Sequence, residues 1–267
     1  MLPDYEVLAI RYAHNPAARS SHNFIGGDQH DVPMPLDYFV WLIRGNNLAV
    51  VVDTGFSRAM AEKRARQYLA CPGETLGDLG VDPNGVRDVI ITHLHYDHAG
   101  NHDLFPNARY HLQDREMRYA TGRCMCHATL RAPFEADDVA EMIRKVFAGR
   151  VVFHDGDSEF APGITLHRLG GHTDGLQIVR VHTRRGWVVL ASDASHFYAN
   201  IEQERSFPLV FNVGDMLEGF RTVRGLADGL DHVIPGHDPL VMSRYPAVPG
   251  FEGRVVRLDT APITAAS

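Results

Sequence analysis

The chain has 267 residues, of which 45% are hydrophobic, and a formal net charge of -7 at pH 7. That length and apolar content are sufficient for a substantial buried core. The acidic balance and the lack of a block of basic residues argue against a nucleic-acid-binding protein, whose phosphate contacts need clustered Lys and Arg. A neutral or weakly charged small substrate fits this composition better.

The beginning of the chain and its cysteines indicate the compartment. Residues 1–6 contain neither a basic segment nor a long apolar one, so no signal peptide is expected. No run of about 18 apolar residues occurs, which argues against a membrane-spanning helix. The cysteines Cys71, Cys124 and Cys126 are odd in number and unsuited to a disulfide framework. We therefore expect a cytoplasmic protein.

The N-terminal third is predicted to form strands and one helix. Aromatic and β-branched residues favour strands at 5–12, 38–43, 48–52 and 86–92. Gly45-Asn46-Asn47 has turn chemistry and predicts a hairpin between two of them. Ser57 can cap a helix that we expect to run to about Ala70 and to end at Pro72-Gly73.

The rest of the chain alternates helical and strand patterns. Apolar residues at helical spacing predict helix from about 114 to 149, with Gly149 as a C-cap, and again over 215–226. Only the tail after Pro246 is expected to be loosely ordered. Strands are predicted at 150–153, 164–169, 176–181, 187–191 and 232–234. Many strands with few helices predict a layered α/β sandwich.

The helical segment at 114–149 carries six large apolar residues that have two interpretations. They can line a lid or pocket for an acyl chain, or they can pack in the core, which is the commoner role of apolar residues at helical spacing. We favour core packing. The six are Met117, Tyr119, Met125, Phe134, Met142 and Phe147.

Four apolar segments end in a residue that can bind a metal: His93, His172, Asp193 and His237. If these strands are neighbours, their four ligand groups meet at one edge of the sheet. Side chains alternate along a strand, so His95 lies on the same side as His93 and can reach the same ion.

Two more ligand residues follow where the chain leaves the strand. Asp97 and His98 come directly after Tyr96 and can point towards a neighbouring site, which predicts two adjacent metal ions. Imidazole and carboxylate ligands suit zinc, and they also accept iron, manganese and cobalt. The Asp193 carboxylate can bridge both ions.

At this point the residues resemble a known family. Thr92-His93-Leu94-His95-Tyr96-Asp97-His98 is similar to the His-x-His-x-Asp-His motif of the metallo-β-lactamase superfamily. Later and earlier motifs of that superfamily resemble the segments 51–56, 171–175, 192–194 and 235–237. The resemblance implies a four-layer αβ/βα sandwich with a dinuclear metal site at one edge. It also implies a single domain over 1–267 with a helical insert at about 114–149.

The resemblance also assigns the ligands. One metal would be held by His93, His95 and His172, the other by Asp97, His98 and His237, and Asp193 would bridge them. Asp53 would support the ligands from behind, although a carboxylate before Thr-Gly is equally typical of a turn.

The spacing looks most like that of the N-acyl homoserine lactonases, which open the lactone ring of bacterial quorum-sensing signals. Asp97 would then pass a proton to the leaving alkoxide. Those enzymes usually carry a tyrosine three residues after the bridging aspartate, where this chain has His196. Tyr198 would face the same side on an extended segment, so His196 or Tyr198 would stabilise the oxyanion. A homodimer fits the resemblance, because dimers are common among these lactonases.

Three alternatives remain open. Another lactone, aromatic or pyranone, needs the same metals and cannot be separated by these motifs. A thioesterase similar to glyoxalase II would normally have a C-terminal helical extension, and the sequence after His237 is short for one. A metal-binding protein without turnover is disfavoured, since all the ligands are intact.

Overall fold

Two β-sheets organise residues 2–263, the part of the chain that this computed structural model describes. The strands are β1 (Glu6–Asn15), β2 (Leu36–Gly45), β3 (Leu48–Val52), β4 (Gln67–Tyr68), β5 (Asp88–Ile90), β6 (Arg109–Gln113), β7 (Val151–His154), β8 (Ser158–Ala161), β9 (Ile164–Arg168), β10 (Gln177–Thr183), β11 (Gly186–Ser192), β12 (Val233–Pro235) and β13 (Val255–Arg257). The first sheet has the order β13-β1-β2-β3-β5-β6-β7, with β4 paired to β1. The second has the order β12-β11-β10-β9-β8.

Helices cover the outer face of each sheet. The α-helices are α1 (Arg58–Lys63), α2 (Pro72–Asp78), α3 (Tyr96–Ala99), α4 (Asp114–Ala120), α5 (Ala128–Arg131), α6 (Ala136–Phe147), α7 (Tyr198–Glu202), α8 (Val213–Leu226) and α9 (Leu240–Arg244). In α6, Val139 and Met142 pack on the first sheet, and in α8 Phe220 and Val223 pack on the second. Within the described residues, no helix combines the length and the apolar character needed to cross a membrane.

Alternation of side chains along the strands builds the layers. On β2, Phe39 and Trp41 enter the core between the two sheets, whereas Val40 faces the helices. On β11, Leu190 points into the same central core and Val189 points outwards to α8. Helix, sheet, sheet and helix therefore stack in that order, which confirms the predicted αβ/βα sandwich.

The strand predictions are confirmed where apolar patterns are strong. The hairpin between β2 and β3 pairs Gly45 with Leu48, and its two turn residues, Asn46 and Asn47, have φ of 51° and 59°. Both angles are what a type I′ turn needs, and asparagine tolerates them well. The short strands β4, β6, β8 and β13 are absent from the predictions, because β4, β6 and β8 have few apolar residues and β13 has only three residues.

The helix predicted from Ser57 to Ala70 is wrong in its length. Ser57 does cap α1, and its hydroxyl accepts from the N–H of Met60 at 3.2 Å. However, α1 ends at Lys63, and β4 lies between it and the next helix. Pro72-Gly73 begins α2 rather than stopping a helix, because proline lacks only an N–H that the first turn leaves unpaired.

The segment 114–149 contains α4, α5 and α6 rather than one continuous helix. Gly149 follows the last helix with φ of 69°, as predicted for a C-cap glycine. Core packing is confirmed for Tyr119, Phe134 and Met142, whereas Phe147 is 87% exposed. Whether this segment is an insert in a single domain over 1–267 stays a prediction.

The expectation of a loosely ordered tail after Pro246 is wrong for the residues described. Strand β13 pairs antiparallel with β1, with Ala9 opposite Val256. Leu258 is fully buried in the core between the sheets, and its N–H donates to the carbonyl of Val7 at 2.8 Å. Residues 264–267 of that tail lie outside the described residues.

We therefore expect Leu258→Ala to lower the free energy of unfolding by about 2–5 kcal/mol, because it leaves a cavity in the central core. Denaturant unfolding measures this change. Leu230→Ala is the matched control, since Leu230 is 51% exposed and its loss should cost less than about 0.5 kcal/mol. Equal effects of the two substitutions would contradict the packing described for the C-terminal segment.

Candidate metal centre

The structure brings all seven predicted ligands together at the ends of strands from both sheets. His93 follows β5, His172 follows β9, Asp193 directly follows β11, and His237 follows β12. The ligand atoms fall into two groups, within each of which all lie within 4.8 Å of one another. The groups are His93, His95, His172 and Asp193, and Asp97, His98 and His237.

The carboxylate of Asp193 lies between the two groups. Its Oδ2 is 3.2 Å from Nε2 of His172 and 3.8 Å from Nε2 of His93. Its Oδ1 is 3.2 Å from Nε2 of His98 and 3.1 Å from Nε2 of His237. One oxygen therefore faces each group, which is the arrangement that a bridging ligand requires.

The second nitrogen of several ligand rings is held by the protein. Nδ1 of His98 is 2.7 Å from Oδ2 of Asp53, Nδ1 of His172 is 2.7 Å from the carbonyl oxygen of Leu209, and Nδ1 of His237 is 2.9 Å from the carbonyl oxygen of Asp37. A ring that donates from Nδ1 keeps a lone pair on Nε2. These contacts therefore aim Nε2 at the cluster.

The electrostatics differ among the ligands. Burial favours the neutral ring, but the Asp193 carboxylate raises the pKa of His98 and of His237. His93, His95 and Asp193 are instead kept in their metal-binding form. Burial, followed by the charge of His98, lowers the pKa of His93 well below its ordinary value, and burial with His172 does the same to the pKa of His95. Although burial opposes it, the nearby His237 and His98 lower the pKa of the Asp193 carboxyl. Neutral imidazoles and an ionised carboxylate are the forms that bind metals.

The donor atoms fit divalent cations. Among the residues described, Nε2 of His98 and Oδ1 of Asp193 are buried and lie 3.2 Å apart, but neither has a partner in hydrogen-bonding geometry, although buried polar atoms are normally paired. Nδ1 of His95 lies 3.0 Å from Nε2 of His93 and 2.9 Å from Nε2 of His172. Three imidazole nitrogens and a carboxylate that converge in this way suit one metal ion, and the second group suits another.

Asp53 supports the cluster from behind. Its Oδ1 accepts from the N–H of Thr92 at 2.7 Å, and its Oδ2 contacts the hydroxyl of Thr92 at 2.9 Å as well as the ring of His98. Burial raises the pKa of the Asp53 carboxyl, while His98 opposes the rise. Of the two interpretations given above, contact with a ligand ring is the one observed.

Sequence reasoning missed Glu116, a buried residue of α4 that joins two ligand loops. Its Oε1 accepts from the N–H of Leu94 at 2.8 Å, between two ligand histidines. Its Oε2 accepts from the hydroxyl of Thr173 at 2.6 Å and from the N–H of Gly175 at 3.1 Å. A side chain at Gly175 would collide with the backbone of Glu116. No motif surrounds Glu116, so only the three-dimensional structure reveals its role.

His196 and Tyr198 do not face the same side, which corrects the sequence-based expectation. The segment is not extended, because α7 begins at Tyr198. The ring of His196 stacks on Phe207 with a centroid distance of 3.4 Å, and its Nε2 is 2.9 Å from Oδ2 of Asp193. Tyr198 is instead buried in the core between the sheets, beneath the guanidinium of Arg244. Tyr198 therefore does not reach the cluster as His196 does.

A cavity of about 490 Å³ opens onto the cluster, and Tyr198 is absent from its wall. His95, Asp97, Asp193, His196 and His237 form its reactive side. The remaining wall is mixed, with apolar residues beside amides, phenols and two arginines. These other residues are Asn15, Ala17, Ala18, His22, Asn23, Leu36, Tyr38, Arg64, Arg66, Tyr96, Ala132, Pro133, Phe207 and Leu209.

Comparison with known proteins gives consistent results. The family model described as the metallo-beta-lactamase superfamily matches residues 34–237. An N-acyl homoserine lactonase of Bacillus cereus is 29% identical over 130 residues, which cover 48% of this chain and 46% of that protein. The N-acyl homoserine lactonase AttM of Azorhizobium caulinodans is 27% identical over 188 residues, which cover 65% of this chain and 66% of that protein. The chain thus matches about half the length of the Bacillus cereus relative.

A solved structure shares the fold. It is an N-acyl homoserine lactone hydrolase with the product N-hexanoyl-L-homoserine bound at the catalytic metal center. The TM-score is 0.71 at 21% identity, over 93% of this chain and 99% of that chain. At 21% sequence identity, the similarity shows a shared fold and nothing further.

The role of Asp53 can be tested by Asp53→Ala, which frees the ring of His98. We expect metal affinity to fall by roughly 10–100-fold, because supporting carboxylates orient ligand histidines and raise their basicity. Competition with a chromophoric chelator measures the affinity. The control is Asp88→Ala, since Asp88 contacts His111 at 3.0 Å in a similar pair outside the cluster. An equal loss of affinity in both variants would show general destabilisation instead.

Proposed function

The chain belongs to the metallo-β-lactamase superfamily, and from that premise we propose that it is a metal-dependent hydrolase that opens a lactone ring. The observation that carries the proposal is the Asp193 carboxylate, whose two oxygens face separate groups of buried ligands on the floor of a substrate-sized cavity. The names of the relatives support lactones as the substrate class. N-acyl homoserine lactones are therefore the first substrates proposed.

We further propose that the metals are two zinc ions. His93, His95 and His172 would hold one ion, and Asp97, His98 and His237 the other, with Asp193 shared. Bound ions of this kind supply Lewis acidity and a water acidic enough to be a nucleophile near neutral pH. The chain would hold these ligand residues in place and position the ring carbonyl of the substrate at the metal site.

Asp97 is the proposed carrier of the proton. Its carboxylate is exposed to the cavity, and its Oδ2 is 3.8 Å from Nε2 of both His98 and His237. Its backbone carbonyl accepts a hydrogen bond from the hydroxyl of Tyr12 at 2.7 Å, which holds the loop in place. Asp97 can therefore accept a proton on the nucleophile side and deliver it to the leaving alkoxide.

His196 is the proposed donor to the carbonyl oxygen. Burial lowers the pKa of His196 to about 4, so the ring is neutral at pH 7 and carries one N–H. Stacking on Phe207 leaves the ring edge free to donate that N–H, either to Asp193 or to the substrate. In this proposal His196 takes the role of the tyrosine that homoserine lactonases usually carry at this position.

We expect His196→Ala to lower kcat for lactone opening by roughly 10²–10³-fold with little change in KM, because donors to the oxyanion act mainly in the transition state. Steady-state kinetics on the metal-loaded protein measure both constants. Tyr198→Phe is the matched comparison, and its kcat should change by less than about twofold, since the phenol lies outside the cavity wall. A larger loss in Tyr198→Phe than in His196→Ala would reverse these assignments.

A second candidate is a lactone of another kind, including aromatic and pyranone lactones. One feature of the cavity favours it, namely the arginines Arg64 and Arg66 in the wall. A neutral acyl homoserine lactone does not need these charges. The metal chemistry is the same for both candidates.

The proposed reaction is tested by proton release from zinc- or cobalt-loaded protein. Substrates are acyl homoserine lactones of short and long chain, simple γ- and δ-lactones, aromatic lactones and a glutathione thioester. We expect at least one lactone to be opened and the activity to vanish when a chelator removes the metals, because the ions supply the nucleophile and the Lewis acid. Cleavage of the thioester alone, or no turnover with two metals bound, would contradict the proposal.

A further inference from the structure

The two arginines of the cavity wall have different electrostatic surroundings. Arg64 is neutralised, since its Nη2 lies 2.6 Å from Oε1 of Glu135, and its guanidinium stacks on the ring of Tyr96 at 4.0 Å. Arg66 has no carboxylate within 4.0 Å among the described residues, and its Nε is buried without a hydrogen-bond partner. Arg66 therefore brings an uncompensated positive charge to the cavity.

The backbone fixes the position of Arg66. The preceding residue, Ala65, has φ of 52°, a left-handed conformation that is unfavourable for any residue with a side chain. The N–H of Arg66 donates to the carbonyl of Ala61 at 2.8 Å and closes the end of α1. Strain of this kind persists only where the surrounding structure determines the conformation, and it is common at ligand sites.

Two phenols connect Arg66 with the ligand cluster. Tyr38 and Tyr96 line the same cavity, and although burial lowers the pKa of the Arg66 guanidinium, these two nearby phenols raise it. The hydroxyl of Tyr96 donates to that of Tyr38 at 3.5 Å, which leaves the Tyr38 hydroxyl free to donate. The ring of Tyr38 in turn packs edge-on against His237 at 5.1 Å.

We propose that Arg66 and the Tyr38 hydroxyl form a subsite for a carboxylate carried by the lactone substrate. This inference rests on the proposed function and favours its second candidate, since an acyl homoserine lactone carries no carboxylate. A half-buried guanidinium without a counterion is unfavourable, and an anionic substituent of the substrate would neutralise it with charge-assisted hydrogen bonds. A single unpaired arginine matches a monoanionic carboxylate better than a dianionic phosphate. The chain as a whole has a net charge of -7, so its overall charge does not attract an anion. The attraction for a carboxylate comes from Arg66 in this part of the wall.

Matched probes test the subsite. For turnover they are γ-carboxy-γ-butyrolactone and its carboxamide, which differ only in charge. For binding they are pyroglutamate and pyroglutamamide, the corresponding lactams, measured by calorimetry on the metal-loaded protein. We expect the wild-type chain to prefer the acid over the amide by about tenfold or more in kcat/KM and in binding, as a charged hydrogen bond predicts.

Substitution of Arg66 tests whether this residue causes the preference for the acid over the amide. We expect Arg66→Gln to lower the acid-to-amide ratio by about tenfold through KM, and Arg66→Lys to restore part of it, because lysine keeps the charge but loses the planar fork. Arg118→Gln is the control, since Arg118 is exposed, has no carboxylate within 4.0 Å among the described residues and is absent from the cavity wall. The ratio should be unchanged in that variant. If Arg66→Gln fails to fold, Arg66→Lys makes the assignment, because it keeps the charge and should lower the ratio only in part.

The outcomes separate the two proposals. Turnover of neutral lactones with no preference for the acid, in either assay, would overturn the carboxylate subsite and leave the lactonase proposal standing. Tighter binding of pyroglutamate than of pyroglutamamide that Arg66→Gln removes, without turnover of any lactone, would support the subsite and overturn the lactonase proposal. An acid preference that is equally lost in Arg118→Gln would show a nonspecific charge effect and contradict the assignment to Arg66.

Discussion

The buried carboxylate of Asp193 is the constraint on which the rest of the site depends. A carboxylate removed from water is costly unless positive charge or hydrogen-bond donors surround it. Here four imidazole nitrogens from three separate loops, those after β5, β9 and β12, lie within 3.8 Å of its two oxygens. Those loops must therefore be held in register by the two sheets, and the sandwich can be understood as the frame that brings the strand ends together.

Holding the loops in register requires backbone strain and close packing. Asp53 and Ser192, each at a strand end next to ligands, have φ of 62° and 45°, and left-handed backbone costs about 1–2 kcal/mol for such residues. At Gly236, a Cβ atom would lie 2.7 Å from Oδ1 of Asp193, so only glycine fits beside the shared carboxylate. The cross-links made by Asp53 and Glu116 offset this strain by satisfying buried backbone N–H groups.

The sequence predicts the parts of this site that local patterns encode. The ligands follow apolar strands, and Asp97 and His98 are only two and three residues beyond His95. The alternation of side chains along a strand and the spacing within the histidine motif therefore predict the ligands. Glu116 contacts residues 22 and 57 positions away, and nothing in its own neighbourhood indicates them. The prediction that Tyr198 faces the same side as His196 is wrong because a helix begins at Tyr198. Strand β13 depends on β1, at the other end of the chain, and short segments with such distant partners have weak local signals.

The metal ligands in the cavity and the other residues of its wall come from different parts of the fold. The ligands lie at strand ends of both sheets, where the cores on each side prevent movement. Other residues of the cavity wall lie in loops and at helix ends outside the sheets. They include Asn23, Arg66, Pro133 and Leu209. Loops tolerate substitution better than buried strands, because fewer packed neighbours have to adjust. The same ligand cluster can therefore serve different substrates when these wall segments change. Under the proposed function, the choice among lactones would depend on wall residues such as Arg66 rather than on the ligand motif.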